Sequence, residues 1–133
     1  MFKRDTALKV CFTVIVLLFL WIIYQADTGN NKDVFNLLEQ IKYGDKYAHF
    51  LFFGVASLLL NLILKLRCIQ VLGLKLYAGS CAVLLFSILE EMSQGLTPHR
   101  NLDELDIMAN SMGVLVFALV TYLSQLSRTQ TSH

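Results

Sequence analysis

The chain has 133 residues, 56% of them apolar, with a formal charge of +1 and a mean hydropathy of +0.58. That length holds one domain, residues 1–133, and the near-neutral charge offers no basic surface for nucleic acid. The apolar residues fall in long blocks rather than with the period of a soluble helix or strand, so the expected partner is the lipid bilayer.

The first block, Val10 to Ala26, follows the basic residues Lys3, Arg4 and Lys9. Its end, Tyr24-Gln25-Ala26, has a bulky residue where a cleavage site wants a small one, so it reads as a retained signal-anchor helix over about 8–26. Trp21 and Tyr24 suit the membrane interface. A turn-rich break at 27–31 precedes Val34, Leu37, Leu38 and Ile41, which recur with helical spacing. About three turns are too few to cross a bilayer, and the expectation over about 32–43 is a short helix on the membrane surface or against the bundle.

The second spanning segment is expected over about 48–66. Gly54 and Ser57 lie one turn apart within it, suited to close helix packing. A third is expected over about 74–94, although its purely apolar part, 76–89, is shorter than the roughly 20 residues a spanning helix needs. It must tilt, begin early, or carry Glu90 and Glu91 into the membrane edge. The fourth is expected over about 105–124, with Ala109 and Gly113 as a second small pair. Thr13 and Asn61 read as interhelical polar contacts. The fold class is therefore all-α, an integral membrane bundle of four transmembrane helices.

Four spans place both termini on one side. With those termini inside, Lys3, Arg4, Lys9, Lys65, Arg67, Lys75 and Arg128 face the cytoplasm, and Lys32, Lys42, Lys46 and Arg100 face out. The positive-inside rule favours that orientation. Cys11, Cys68 and Cys81 then lie toward the reducing side. They are odd in number and without metal-ligand spacing, and read as free thiols.

This topology brings polar residues from three helices to the outer face. Asp45 and His49, Glu90 and Gln94, and Asp106 and Asn110 are spaced i, i+4, and Glu91 and Gln94 i, i+3, so each pair shares a helix face. Polar and charged groups in a membrane segment mark a site by default. Structural readings compete. Asp45 and Asp106 also fit helix N-caps, His49 and Asn110 interhelical hydrogen bonds, and Glu90 or Glu91 an ion pair with Arg100 or Lys46.

Asp45, Lys46, His49 and Phe50 spell Asp-Lys-x-x-His-Phe. Glu91, Gln94, Pro98, Arg100, Asp106, Asn110 and Gly113 spell Glu-x-x-Gln…Pro-x-Arg…Asp-x-x-x-Asn-x-x-Gly. Over about residues 45–122 the chain resembles the VanZ-like family of small bacterial integral membrane proteins. His99, Asp103 and Glu104 fall outside that pattern. The resemblance implies a multi-pass protein of the bacterial cytoplasmic membrane and ranks Glu91 above Glu90. The family's namesake is associated with resistance to the glycopeptide teicoplanin, and most members have no assigned activity.

The functional expectation is a cell-envelope accessory or binding protein. Its candidate site is Asp45, Lys46, His49, Glu91, Gln94, Arg100, Asp106 and Asn110, facing a lipid-linked, phosphate-bearing headgroup. Lys46 and Arg100 would meet phosphate, and Glu91, Asp106 and Asn110 would orient sugar hydroxyls or hold Arg100 in place. The alternative is a membrane-embedded enzyme using His49, Glu91 and Asp106 as acid–base or divalent-metal groups. No nucleophile is paired with a base, no HExxH-type signature is present, and no cofactor is expected. Four spans without an inverted repeat or interrupted midplane helices argue against a transporter, an objection that an oligomer would weaken.

Overall fold

The computed structural model describes residues 2–29, 36–37, 40–98 and 101–130. Helix α1 runs Phe2–Asp27, α2 Gly44–Ile63, α3 Ala78–Gln94 and α4 Glu104–Gln130. Strands β1 (Cys68–Val71) and β2 (Leu74–Tyr77) form an antiparallel hairpin between α2 and α3. The protein is thus mostly helical, and the all-α expectation is amended by this small sheet. The surface helix expected over 32–43, and the end of the break at 27–31, lie largely outside the described residues.

Three helical segments are long and apolar enough to cross a membrane among the described residues: Lys3–Asp27, Gly44–Ile63 and Glu104–Thr129. The segment expected over 74–94 differs. Its first four residues pair with β1, so the helix begins at Ala78 and has 17 residues. At 1.5 Å per residue it rises about 25 Å, short of the roughly 30 Å hydrocarbon thickness. The second helix also ends earlier than expected, at Ile63, because Lys65 and Leu66 turn to positive φ.

The hairpin follows from a two-residue connection. Leu72 (φ 50°) and Gly73 (φ 80°) both take the left-handed conformation that a tight hairpin loop requires. The register pairs Gln70 with Lys75 on one face, and Ile69 with Leu76 and Val71 with Leu74 on the other. All six side chains are exposed, so the hairpin presents an apolar face outward.

The helices pack through aromatic and small residues, as expected where lipid supplies no hydrophobic drive between them. Phe19 of α1 stacks on Phe52 at 4.1 Å and meets Phe53 edge-on at 5.2 Å. Phe53, Ala56, Val83 and Val114 complete the buried apolar core with Phe19. The α2–α4 crossing depends on glycine. A Cβ at Gly113 would fall on the Phe50 carbonyl oxygen, and one at Gly54 would collide with the Phe117 ring. Toward the hairpin end of the bundle, Ser57 and Asn61 of α2 meet Ser80 in the first turn of α3. The Ser57 and Ser80 hydroxyls are 2.8 Å apart, Asn61 Nδ2 donates to Ser80 Oγ at 2.8 Å, and Ser80 N donates to Asn61 Oδ1 at 2.9 Å. Asn61 is therefore interhelical. Thr13 is not: its hydroxyl donates to Lys9 O in its own helix.

Candidate functional site

The N-termini of α2 and α4 and the C-terminus of α3 meet at one end of the bundle. Lys46, in the first turn of α2, donates to Asp103 Oδ2 at 2.5 Å and Asp106 Oδ1 at 2.6 Å, and pairs with Asp45 Oδ2 at 2.8 Å. One turn on, His49 Nδ1 donates to Asn110 Oδ1 at 3.0 Å, since a carboxamide oxygen can only accept. The same Nδ1 is 3.8 Å from Glu91 Oε1, and His49 Nε2 is 3.8 Å from Asp106 Oδ2. The imidazole thus touches α3 and α4 at once.

Burial separates these groups. Glu91 and Asn110 are fully buried and Gln94, Asp106 and Glu90 nearly so, while His49 keeps 16% of its side chain exposed. Gln94 Nε2 donates to Glu90 Oε1 at 2.5 Å and more weakly to Glu91 Oε1 at 3.4 Å, joining the three within the last turn of α3. One atom each from His49, Glu91 and Asp106 can be chosen so that all lie within 4.8 Å of one another.

The inward pair of α2 is Lys46 and His49, spaced i, i+3, rather than Asp45 and His49. Asp45 is about half exposed and reaches Lys46. Neither aspartate considered as an N-cap serves as one. Tyr43 occupies the cap of α2 without a side-chain bond, and Asp103 Oδ1 accepts from Leu105 N at the start of α4. Asp103 is the residue that motif reasoning undervalued. It caps α4 and binds Lys46, and the Lys46 ammonium holds its carboxyl below the usual aspartate range. Its place three residues before Asp106, on the same helical face, was the available signal. Arg100 and His99 lie outside the described residues.

Lys46 is also not a free phosphate contact, because three carboxylates already surround it. Among the described residues, the carboxyl groups of Asp45, Glu90, Glu91, Asp103 and Asp106 outnumber the Lys46 ammonium and the His49 imidazole they gather around. A separate cleft of about 570 Å³ lies at the opposite end, between the hairpin, α3 and α4, near Tyr77, Cys81 and Tyr122. Cys11, Cys68 and Cys81 are free thiols.

Searches against family models, curated proteins and solved structures find no match to this chain.

Proposed function

We propose that this chain is a VanZ-like protein of the bacterial cytoplasmic membrane that binds a polar headgroup at its extracytoplasmic face. The observation that carries this reading is the gathering of charged and amide side chains from three helices at one end of an otherwise apolar bundle. Such groups are costly near a membrane unless they serve a partner or a ligand.

Chain connectivity supports a fourth crossing by α3. Helices α2 and α4 both start at the polar end, so the chain between them must return along the bundle, and the hairpin plus α3 makes that return. The apolar hairpin face, with Leu72 almost fully exposed, extends the short helix into the interface. Four crossings with the basic loops inside put both termini in the cytoplasm.

The ligand class is a lipid-linked envelope precursor or a similar phosphate-bearing headgroup. With Lys46 held by carboxylates, phosphate falls to Arg100, by a bidentate contact. Asp106, Asn110 and Glu91 would order hydroxyl or amide groups beside it. Native mass spectrometry of protein drawn from membranes tests this. A headgroup-bearing lipid should co-purify, and the adduct should weaken in Arg100→Ala. Retention of the adduct by that variant, or its absence from the parent protein, overturns the reading. For topology, an impermeant thiol reagent should reach Asn101→Cys from outside intact cells; labelling only after lysis reverses the orientation.

A further inference from the structure

We propose that His49, Glu91 and Asp106 form a binding site for one divalent transition-metal cation, of which Zn²⁺ and Mn²⁺ are the best fits. The site goes beyond the headgroup reading and does not depend on it.

The first support is geometric. Two atoms bound to the same ion lie at most twice the bond length apart, roughly 4–4.8 Å for bonds of about 2.0–2.4 Å. The three ligand atoms fall within 4.8 Å of one another, and each comes from a different helix. An ion there would tie α2, α3 and α4 together.

The second support is how neighbouring residues orient the ligands. Metal-bound histidines characteristically donate their other ring N–H to an acceptor, which fixes ring and tautomer. Here Asn110 Oδ1 lies 3.0 Å from Nδ1 and fixes the ring, with Nε2 3.8 Å from Asp106 Oδ2 and Glu91 Oε1 3.8 Å from Nδ1, so the ring stands between the two carboxylates. Lys46 holds the other oxygen of the same carboxylate, Oδ1, at 2.6 Å. Asp106 is thereby positioned with one oxygen committed and the other turned toward the imidazole.

The third support is independent of the cluster's charge. Asn110 is fully buried, its oxygen lies on His49, and its Nδ2 has no hydrogen-bond partner among the described residues. Buried amide donors are normally satisfied, and one left over beside three potential ligands fits an acceptor carried by the ion, such as a bound water. The donor set favours a particular class of ion. Two carboxylates balance a double charge, and the imidazole biases selection from Mg²⁺ and Ca²⁺ toward Zn²⁺ and Mn²⁺. Partial exposure of His49 leaves a path to solvent. The residue types alone suggested this set; its members are 42 and 15 residues apart (49 to 91 to 106), and the fold brings them together.

The test uses the full chain, purified in detergent and stripped with a chelator. Mn²⁺ alone is titrated and followed by electron paramagnetic resonance, and Zn²⁺ alone by calorimetry. The expected result is one ion per chain, with affinity falling tenfold or more in His49→Gln, Glu91→Gln and Asp106→Asn. Asn110→Ala should lose about 10- to 100-fold, as for other residues that orient a ligand. Zn²⁺ binding should survive replacement of all three cysteines by serine. Circular dichroism and elution profile identify folded variants, and should one ligand variant fail to fold, the other two carry the comparison. Absence of stoichiometric ion in the folded parent protein overturns the proposal. So does binding that the ligand variants leave unchanged, or binding that the cysteine replacements remove. None of these outcomes bears on co-purification of a lipid, so the two readings fail separately.

Discussion

Two polar networks lie in the same bundle and are built differently. The Ser57–Asn61–Ser80 clamp is neutral and closes on itself: none of its buried side-chain atoms lacks a partner. Among the described residues, the cluster around Lys46 and His49 is charged, has more carboxylates than cations and leaves Asn110 Nδ2 without a partner. A network serving only to hold helices together reaches lowest energy when every donor finds an acceptor. One that gathers ionisable side chains and keeps a spare donor is the kind expected at a binding site. The clamp should therefore govern stability, and the cluster should govern what the protein binds.

The sharpest way to break this contrast is at Gly79, where the clamp requires close backbone approach. A Cβ there would lie 2.5 Å from Asn61 Oδ1 and 2.7 Å from Asn61 N. Gly79→Ala should force the helices apart and cost about 1–3 kcal/mol or more, read as lost folded yield and a lower melting temperature in detergent. Asn61→Ala comes next. It strands the Ser80 amide, while the Ser80 hydroxyl keeps Ser57, and should cost about 1–2 kcal/mol while leaving Mn²⁺ binding intact.

At the cluster, Glu91→Gln keeps the shape and the hydrogen-bonding capacity of the side chain, so it should cost less stability than Asn61→Ala while lowering Mn²⁺ affinity. If it melts as far below the parent as Asn61→Ala does, the distinction between the networks collapses. The smallest effect is expected at Asp103, about two-fifths exposed, where Asp103→Asn should cost less than about 1 kcal/mol at neutral pH. Because Lys46 depresses the Asp103 carboxyl, its contribution is complete above the unfolded value of about 3.9 and disappears as pH falls through the lower folded value. Melting curves below about pH 4 should therefore lose a small increment in the parent that the asparagine variant never had.

Much of the local arrangement was legible in the residues. Asp106 and Asn110, four apart, do share the inward face of α4, and Gly113 continues that face where α2 comes closest. The hairpin was not legible. Its strands are apolar on one face and short, and Lys75 looked like the start of a helix rather than the cross-strand partner of Gln70. The single available cue was a two-residue Leu72-Gly73 spacer, without the Asn-Gly or Asp-Gly signature of such turns. Asp103 was undervalued because a motif counts spacing, whereas Lys46 reaches for whichever carboxylate the α4 N-terminus brings near.

Sequence by itself determined the long apolar helices and which side chains share a face of each, because hydrophobic block length and the 3.6-residue period are local properties. Only the tertiary structure decided that α3 begins four residues late, that Lys46 is consumed by three carboxylates, and that His49 stands between Glu91 and Asp106. Those facts depend on where three helix ends meet, and that is set by glycine-permitted crossings and a neutral clamp far along the chain from the residues they bring together.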